Sequence, residues 1–157
     1  MKSLVVFDSM YGNTEKVAQA IAAALGGKQN ARAVKVSDVT PEDLHSLDYL
    51  FVGSPTQAFS PLKSVAQFLK SLPAGSLKGT KAAAFDTRMD VKEINNGFLK
   101  FMAGMFGYAA KSISGLLVKK GGELTAPPEG FFVTASEGPL KEGELERASA
   151  WAKQILK

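Results

Sequence analysis

Five times in 157 residues a short apolar run ends in a polar turn and gives way to apolar residues at helical spacing. Leu4-Val5-Val6-Phe7 is an unbroken β-branched and aromatic run, as a strand covered on both faces requires. Val17, Ile21 and Leu25 then recur one helical turn apart, up to the stop at Gly26-Gly27. Ala33–Val36 predicts a second strand. Thr40-Pro41-Glu42-Asp43 offers a cap, a first-turn proline and first-turn acids, and so predicts a short helix. Leu50-Phe51-Val52 predicts the third strand. After Ser60-Pro61, the residues Leu62, Val65, Phe68, Leu69 and Leu72 form one apolar helix face. Lys81–Phe85 leads into Asp86 as a fourth strand, and residues 93–120 read as mostly helical, in two pieces divided by glycine. Glu123–Ala126 and Phe131–Val133 read as a last strand split by Pro127-Pro128. Leu145, Ala148, Trp151, Ala152 and Ile155 mark the buried side of a final helix. Such alternation predicts an α/β fold, a parallel sheet covered on both faces by right-handed crossovers. With no repeat, low-complexity stretch or linker, residues 1–157 read as one domain.

Composition removes whole classes of chemistry. The chain has no cysteine, which excludes a disulfide framework, a thiol nucleophile, a zinc ribbon and an iron–sulfur cluster. A single histidine, His45, argues against a serine–histidine pair or a multi-histidine metal site, and reads as a surface residue. Any redox chemistry must therefore ride on a bound organic cofactor. The first apolar run is too short for an export signal, and no run approaches the ~18 apolar residues of a membrane span. The expectation is a cytoplasmic protein.

In an open doubly wound sheet the ligand lies outside the carboxyl edge of the strands. The loops after strands one, three and four are therefore the ones to read. The first is Asp8-Ser9-Met10-Tyr11-Gly12-Asn13-Thr14. It supplies hydroxyls, a glycine for a tight turn, and then a helix N-terminus, whose free N–H groups and dipole favour an anion such as a terminal phosphate. No Gly-Lys-Ser/Thr and no G-x-G-x-x-G occurs, so this is neither a Walker loop nor a dinucleotide fingerprint. On capping physics alone the loop reads equally well as a polar turn whose Asn13 or Thr14 caps the helix.

The strand Leu4–Phe7, the pattern Ser9-x-Tyr11-Gly12-x-Thr14 and the helix carrying Ala18 and Ile21 resemble the FMN phosphate-binding signature of the flavodoxin family. The variant with tyrosine in third place resembles the flavodoxin domain of flavodiiron proteins and the flavodoxin-like NAD(P)H:quinone oxidoreductases. Gly53-Ser54-Pro55-Thr56 is similar to the second flavin loop of the same relatives. The resemblance covers essentially the whole chain. It implies a flavodoxin-like three-layer sandwich with a five-stranded parallel sheet of order 2-1-3-4-5, and FMN as the cofactor. It further implies that Ser9, Met10, Tyr11, Gly12, Asn13 and Thr14 wrap the phosphate. Ser54, Pro55, Thr56, Gln57, Ala58 and Phe59 would line one side of the isoalloxazine, and Asp86, Thr87, Arg88, Met89 and Asp90 would meet its pyrimidine edge. The chain departs from the family in two ways. Phe59 is the only aromatic in the second loop and the third has none, leaving Met89 or the Arg88 plane as platforms. Nor does a glycine follow Thr56, the residue that would make a peptide flip there cheap. Arg88 either stabilises an anionic reduced flavin, making the final reduction step less negative, or pairs with Asp86 or Asp90 and is electrically silent.

Charge is unevenly spread. Residues 60–120 hold 10 basic and 3 acidic residues, a surplus of +7, while the flanking segments sum to −3. Partners are then acidic or absent, whereas acidic carriers steer to basic partners. The lysines are dispersed and no nucleic-acid motif accompanies them, so no nucleic-acid role is expected. Phe98, Phe101, Met102, Met105 and Phe106 share a helix face. Such a stripe usually belongs to the core; the alternative is an apolar patch for a homodimer, a docking partner or a quinone-like substrate. The leading expectation is an FMN-binding electron-transfer protein that serves a redox partner protein or small electron acceptor. The second is an FMN-dependent NAD(P)H:quinone-type oxidoreductase. A receiver domain is excluded, because Gly53-Ser54-Pro55 stands where its phosphoacceptor aspartate belongs. The intact first loop argues against a flavodoxin fold that has lost its cofactor.

Overall fold

The computed structural model describes residues 1–27, 30–91 and 96–157, without the side chain of Phe106. Strands β1 (Ser3–Phe7), β2 (Ala31–Lys35), β3 (Tyr49–Pro55) and β4 (Lys81–Met89) run parallel in the order 2-1-3-4. The fifth place is shared by two pieces. β5 (Glu123–Leu124) pairs with the start of β4, Lys81 opposite Glu123, and β6 (Glu129–Val133) pairs with its end, Phe85 opposite Glu129 through Met89 opposite Val133. Pro127-Pro128 falls between them. Proline has no N–H to give a ladder, so the strand breaks where the sequence reading splits it.

Alternation along each strand separates two cores. Val5, Phe7, Phe51 and Phe85 face α1 (Asn13–Ala24) and α5 (Glu144–Ile155), where Val17, Ile21 and Trp151 are buried with Phe131. Trp151 takes edge contacts from Phe51, Phe131 and Phe85 at centroid distances of 5.7, 5.9 and 6.3 Å. Leu4, Val6, Leu50 and Val52 face the other way, onto Val65 and Leu69 of α2 (Lys63–Ser71) and Ile113 and Leu117 of α4 (Ala109–Lys119).

Three expectations are refined. The segment from Thr40 closes as a 3-10 turn, Pro41–Leu44, in which Thr40 and Asp43 cap each other. Of the two helical pieces expected over residues 93–120, the first is α3 (Gly97–Phe106); residues 93–95 lie outside the described ones. Of its stripe, Phe98, Phe101 and Met105 are not core, at 67%, 60% and 56% exposed; Met102 is half-buried, the side chain of Phe106 lies outside the described ones, and small Ala103 is turned inward. Gly97–Lys119 is long and apolar enough to cross a membrane by length and composition. The chain instead breaks at Gly107 (φ 73°), and α4 lays Ala110, Ile113 and Leu117 into the core.

Candidate functional site

The three loops read from the sequence meet above the carboxyl ends of β1, β3 and β4. The first leaves β1 at Asp8, whose carboxylate accepts from the Ser9 N–H at 2.8 Å and from the Ser64 hydroxyl. The Ser9 hydroxyl in turn accepts from the Gly12 N–H at 3.0 Å. Gly12 takes φ 91°, a left-handed conformation open to glycine at no steric cost, and so turns the chain directly into α1. No side chain caps that helix. The capping alternative for Asn13 and Thr14 is thus not what the structure shows: the Asn13 amide donates to the Glu137 carbonyl at 3.1 Å, and the Thr14 hydroxyl meets that of Thr87 at 2.8 Å. An uncapped N-terminus beside hydroxyls leaves partial positive charge for an anion to neutralise.

The second loop is a tight reversal. Gln57 and Ser60 exchange backbone hydrogen bonds of 2.8 and 2.9 Å, and the two residues between them, Ala58 and Phe59, both have positive φ, 46° and 66°. Asparagine and glycine normally fill such turns; here an alanine and a phenylalanine are held in them by the pairing on either side. Ser54 is fully buried, its hydroxyl donating to the Pro55 carbonyl and accepting from the Leu62 N–H. It shapes the loop from beneath.

The third loop alternates across the top of β4. Thr87 turns toward α1, and Asp86 and Arg88 turn toward α4. Asp86 is 0% exposed. Arg88 donates to its two oxygens at 2.6 and 2.7 Å, and the Ala110 N–H at the start of α4 donates at 2.9 Å. Burial pushes the Asp86 carboxyl up, against the Arg88 charge and these hydrogen bonds, which favour its ionised form. The Arg88 guanidinium also stacks on Tyr108, 3.8 Å from the ring centroid. Gly130 makes room for it: a Cβ there would lie 2.1 Å from Arg88 Nε. Burial raises the Tyr108 hydroxyl above its usual range, so it stays protonated at neutral pH. Of the two partners open to Arg88 in the sequence, Asp86 is the one it takes; Asp90 lies 3.9 Å from Lys141.

A cleft of about 210 Å³ opens among Ser9, Met10, Tyr11, Asn13, Thr14, Pro55, Thr56, Gln57, Ala58, Thr87, Arg88 and Met89, all of them expected site residues. Its lining is completed by Val133, the last residue of β6, and Ser136, in the turn that follows, which sequence reasoning missed although a strand ending at the same sheet edge could have pointed to them. A second hollow of about 240 Å³ adjoins the first and shares Thr56, Ala58, Arg88 and Met89 with it; Phe59, Leu99 and Tyr108 complete its wall. Together they reach the ~300–1,000 Å³ of ligand clefts. Gly12, Ser54, Asp86 and Asp90 line neither hollow. Gly12 sets the turn, Ser54 and Asp86 support from below, and Asp90 stands outside. Among the described residues no cluster of side chains could hold a metal.

The sequence model of the Flavodoxin family matches residues 5–151. A flavodoxin of Picosynechococcus sp. is 30% identical over 95% of this chain and 92% of its own length. Among solved structures, oxidised Flavodoxin 2 from Bacillus cereus superposes with a TM-score of 0.75 at 23% identity, covering 99% of this chain and 98% of that one. A flavodoxin from the domain Archaea gives 0.73 at 22%, covering 99% and 96%. The rubredoxin oxygen:oxidoreductase of Desulfovibrio gigas gives 0.69 at 19%, with 98% of this chain matching 35% of that larger one.

Proposed function

The chain belongs to the flavodoxin family of FMN-binding electron-transfer proteins, and from that premise we propose that the cleft above β1, β3 and β4 is its FMN site and that the protein acts in the cytoplasm. When bound, FMN would supply the redox centre that exchanges electrons with redox partner proteins. The chain's part is to hold, orient and shield it.

One observation carries the assignment. The N-terminus of α1 has no side-chain cap and opens beside the hydroxyls of Ser9 and Thr14 in the cleft wall. The residues Ser9–Thr14 contain no lysine or arginine, so backbone N–H groups and hydroxyls do the work of binding the phosphate. The Thr14–Thr87 hydrogen bond ties this loop to the top of β4. Pro55, Thr56 and Gln57 from one side and Thr87, Arg88 and Met89 from the other form the slot for the ring. Phe59 and Met89 are its apolar platforms, and Tyr108, locked against Arg88, backs the second hollow.

Titrating the protein with FMN and with riboflavin, followed by flavin absorbance and fluorescence, tests this. FMN binds more tightly than riboflavin, and Thr14→Val weakens FMN about tenfold or more while leaving riboflavin unchanged, as the loss of one charge-assisted hydrogen bond requires. Equal affinity for the two flavins would refute the phosphate loop.

A further inference from the structure

The helix α3 turns its bulky side chains outward. Phe98, Phe101 and Met105, spaced i, i+3, i+7, form one apolar ridge on the surface. Just inside the ridge, Leu99 lines the second hollow beside Phe59 and Met89. The ridge therefore begins at the wall of the proposed flavin site.

Two lysines flank it. Lys100 lies on α3, and the Lys111 side chain runs along Gly107 at the joint with α4. Between α2 and α4 a groove of about 430 Å³, headed by Ser60 and Pro61 of the second loop, carries Lys63, Lys70 and Lys119. Neither α2, α3 nor α4 contains an acidic residue. Of the three acids in residues 60–120, Asp86 is buried against Arg88, Asp90 lies beside Lys141, and Glu93 lies outside the described residues. The helices of the opposite face carry both signs, Glu15 beside Lys16 on α1, and Glu144 and Glu146 with Arg147 and Lys153 on α5.

We propose that the α3 ridge, flanked by Lys100 and Lys111, is the docking surface for a redox partner protein that has an apolar centre and an acidic rim. This rests on the FMN-carrier reading and names the partner's chemistry. An aromatic and methionine centre with charge at the periphery is the composition of a protein–protein interface. A lipid-lying helix carries its lysines along its own polar face, whereas α3 has Lys100 alone and the other lysines come from neighbouring helices. A second copy fits poorly, because a two-fold contact would press these lysines against their equals. Docking here places the partner at the Phe59–Met89 wall of the cleft, where an electron crosses with no bond made or broken.

The test uses FMN-loaded protein, photoreduced and mixed in a stopped flow with two oxidised probes, plastocyanin (acidic) and cytochrome c (basic). Flavin absorbance first establishes that FMN is bound, so failure to bind FMN refutes the carrier reading before docking is measured. We expect the plastocyanin rate to fall about tenfold or more from low to high salt, as attraction between opposite charges requires, and the cytochrome c rate to rise or stay level. Lys100→Glu with Lys111→Glu abolishes that salt dependence. Phe98→Ser with Phe101→Ser slows plastocyanin about tenfold but leaves oxidation by ferricyanide, too small to need a docking surface, unchanged; the flavin spectrum of each variant reports that it is folded. A plastocyanin rate indifferent to salt, or to both double variants, overturns the proposal. So does cosedimentation with phosphatidylserine vesicles that depends on Phe98 and Phe101, or a concentration-dependent dimer lost on the same substitutions, each assigning the ridge to another occupant.

Discussion

Arg88 sits at the flavin cleft with its charge already answered, and that pairing makes a prediction with two opposed arms. Removing Arg88 leaves the Asp86 carboxyl 0% exposed without its counter-ion. Burial already pushes that group up, so in Arg88→Ala it takes a proton, and the local charge is near zero before and after. The flavin midpoint for the second electron then stays where it was. Asp86→Asn does the reverse. It leaves a guanidinium whose side chain is 17% exposed, facing the cleft without a neutralising carboxylate. At an effective dielectric of about 20, unit charges interact by about 4 kcal/mol at ~4 Å and about half that at twice the distance. At a separation of ~8 Å an unmasked charge in the cleft wall would thus stabilise a reduced, anionic flavin by about 2 kcal/mol, a rise of about 90 mV for one electron, less whatever solvent screens. The assay is a dye-referenced reductive titration of the two variants beside the parent protein. A shift in Arg88→Ala as large as that in Asp86→Asn would refute the reasoning, and so would no shift in either. Both variants also lose stability, Asp86→Asn by about 3 kcal/mol, since breaking a buried pair strands one charge.

Other substitutions probe the support of the same edge. Gly130→Ala drives a methyl group into the Arg88 guanidinium, and we expect a loss of about 2 kcal/mol or more together with weakened FMN binding, read by denaturant unfolding and flavin titration. Ala58→Gly relieves one left-handed alanine and raises the melting temperature by about 2 °C, the left-handed cost of an L-residue exceeding the entropy glycine adds to the unfolded chain. Burial opposes the charge of Glu144, but the Arg147 bonds at 2.9 and 2.8 Å and the Phe132 N–H at 2.7 Å outweigh it and hold the carboxyl below its usual range. A depressed acid stabilises the fold above its unfolded pKa and loses that contribution as pH falls through the folded value. Glu144→Gln should accordingly lower the melting temperature at pH 7 and leave it nearly unchanged at pH 3.

The sequence was most readable where local physics decides. The β-branched runs became β1 and β3, Pro127-Pro128 divided the fifth strand position, and the three cleft loops followed from the rule that ligands lie beyond the carboxyl edge. Where long-range register decides, it was ambiguous. Asp86, Arg88 and Asp90 share one face of a strand by alternation, so spacing alone leaves Arg88 two partners; the start of α4, with its Ala110 N–H over Asp86, selects one. The α3 stripe failed for a related reason. Helical spacing says that Phe98, Phe101 and Met105 share a face, but not which way the face points, and a helix that is apolar nearly all round gives no contrast to orient it. Ser136 and Val133 enter the cleft only because β6 pairs with the end of β4, Arg88 opposite Phe132 and Met89 opposite Val133, a pairing of residues 44 apart that no local pattern carries.

Trp151 is the chain's single tryptophan, wedged edge-on among Phe51, Phe85 and Phe131. Its fluorescence is therefore a beacon fixed in one half of the molecule. Emission tracks the layer between the sheet and the helices α1 and α5, and does so free of signal from any other indole. Loosening confined to α2, α3 or α4 leaves the spectrum dark to the change, so a mismatch between tryptophan emission and far-ultraviolet dichroism during unfolding would reveal the two faces of the sheet letting go in turn.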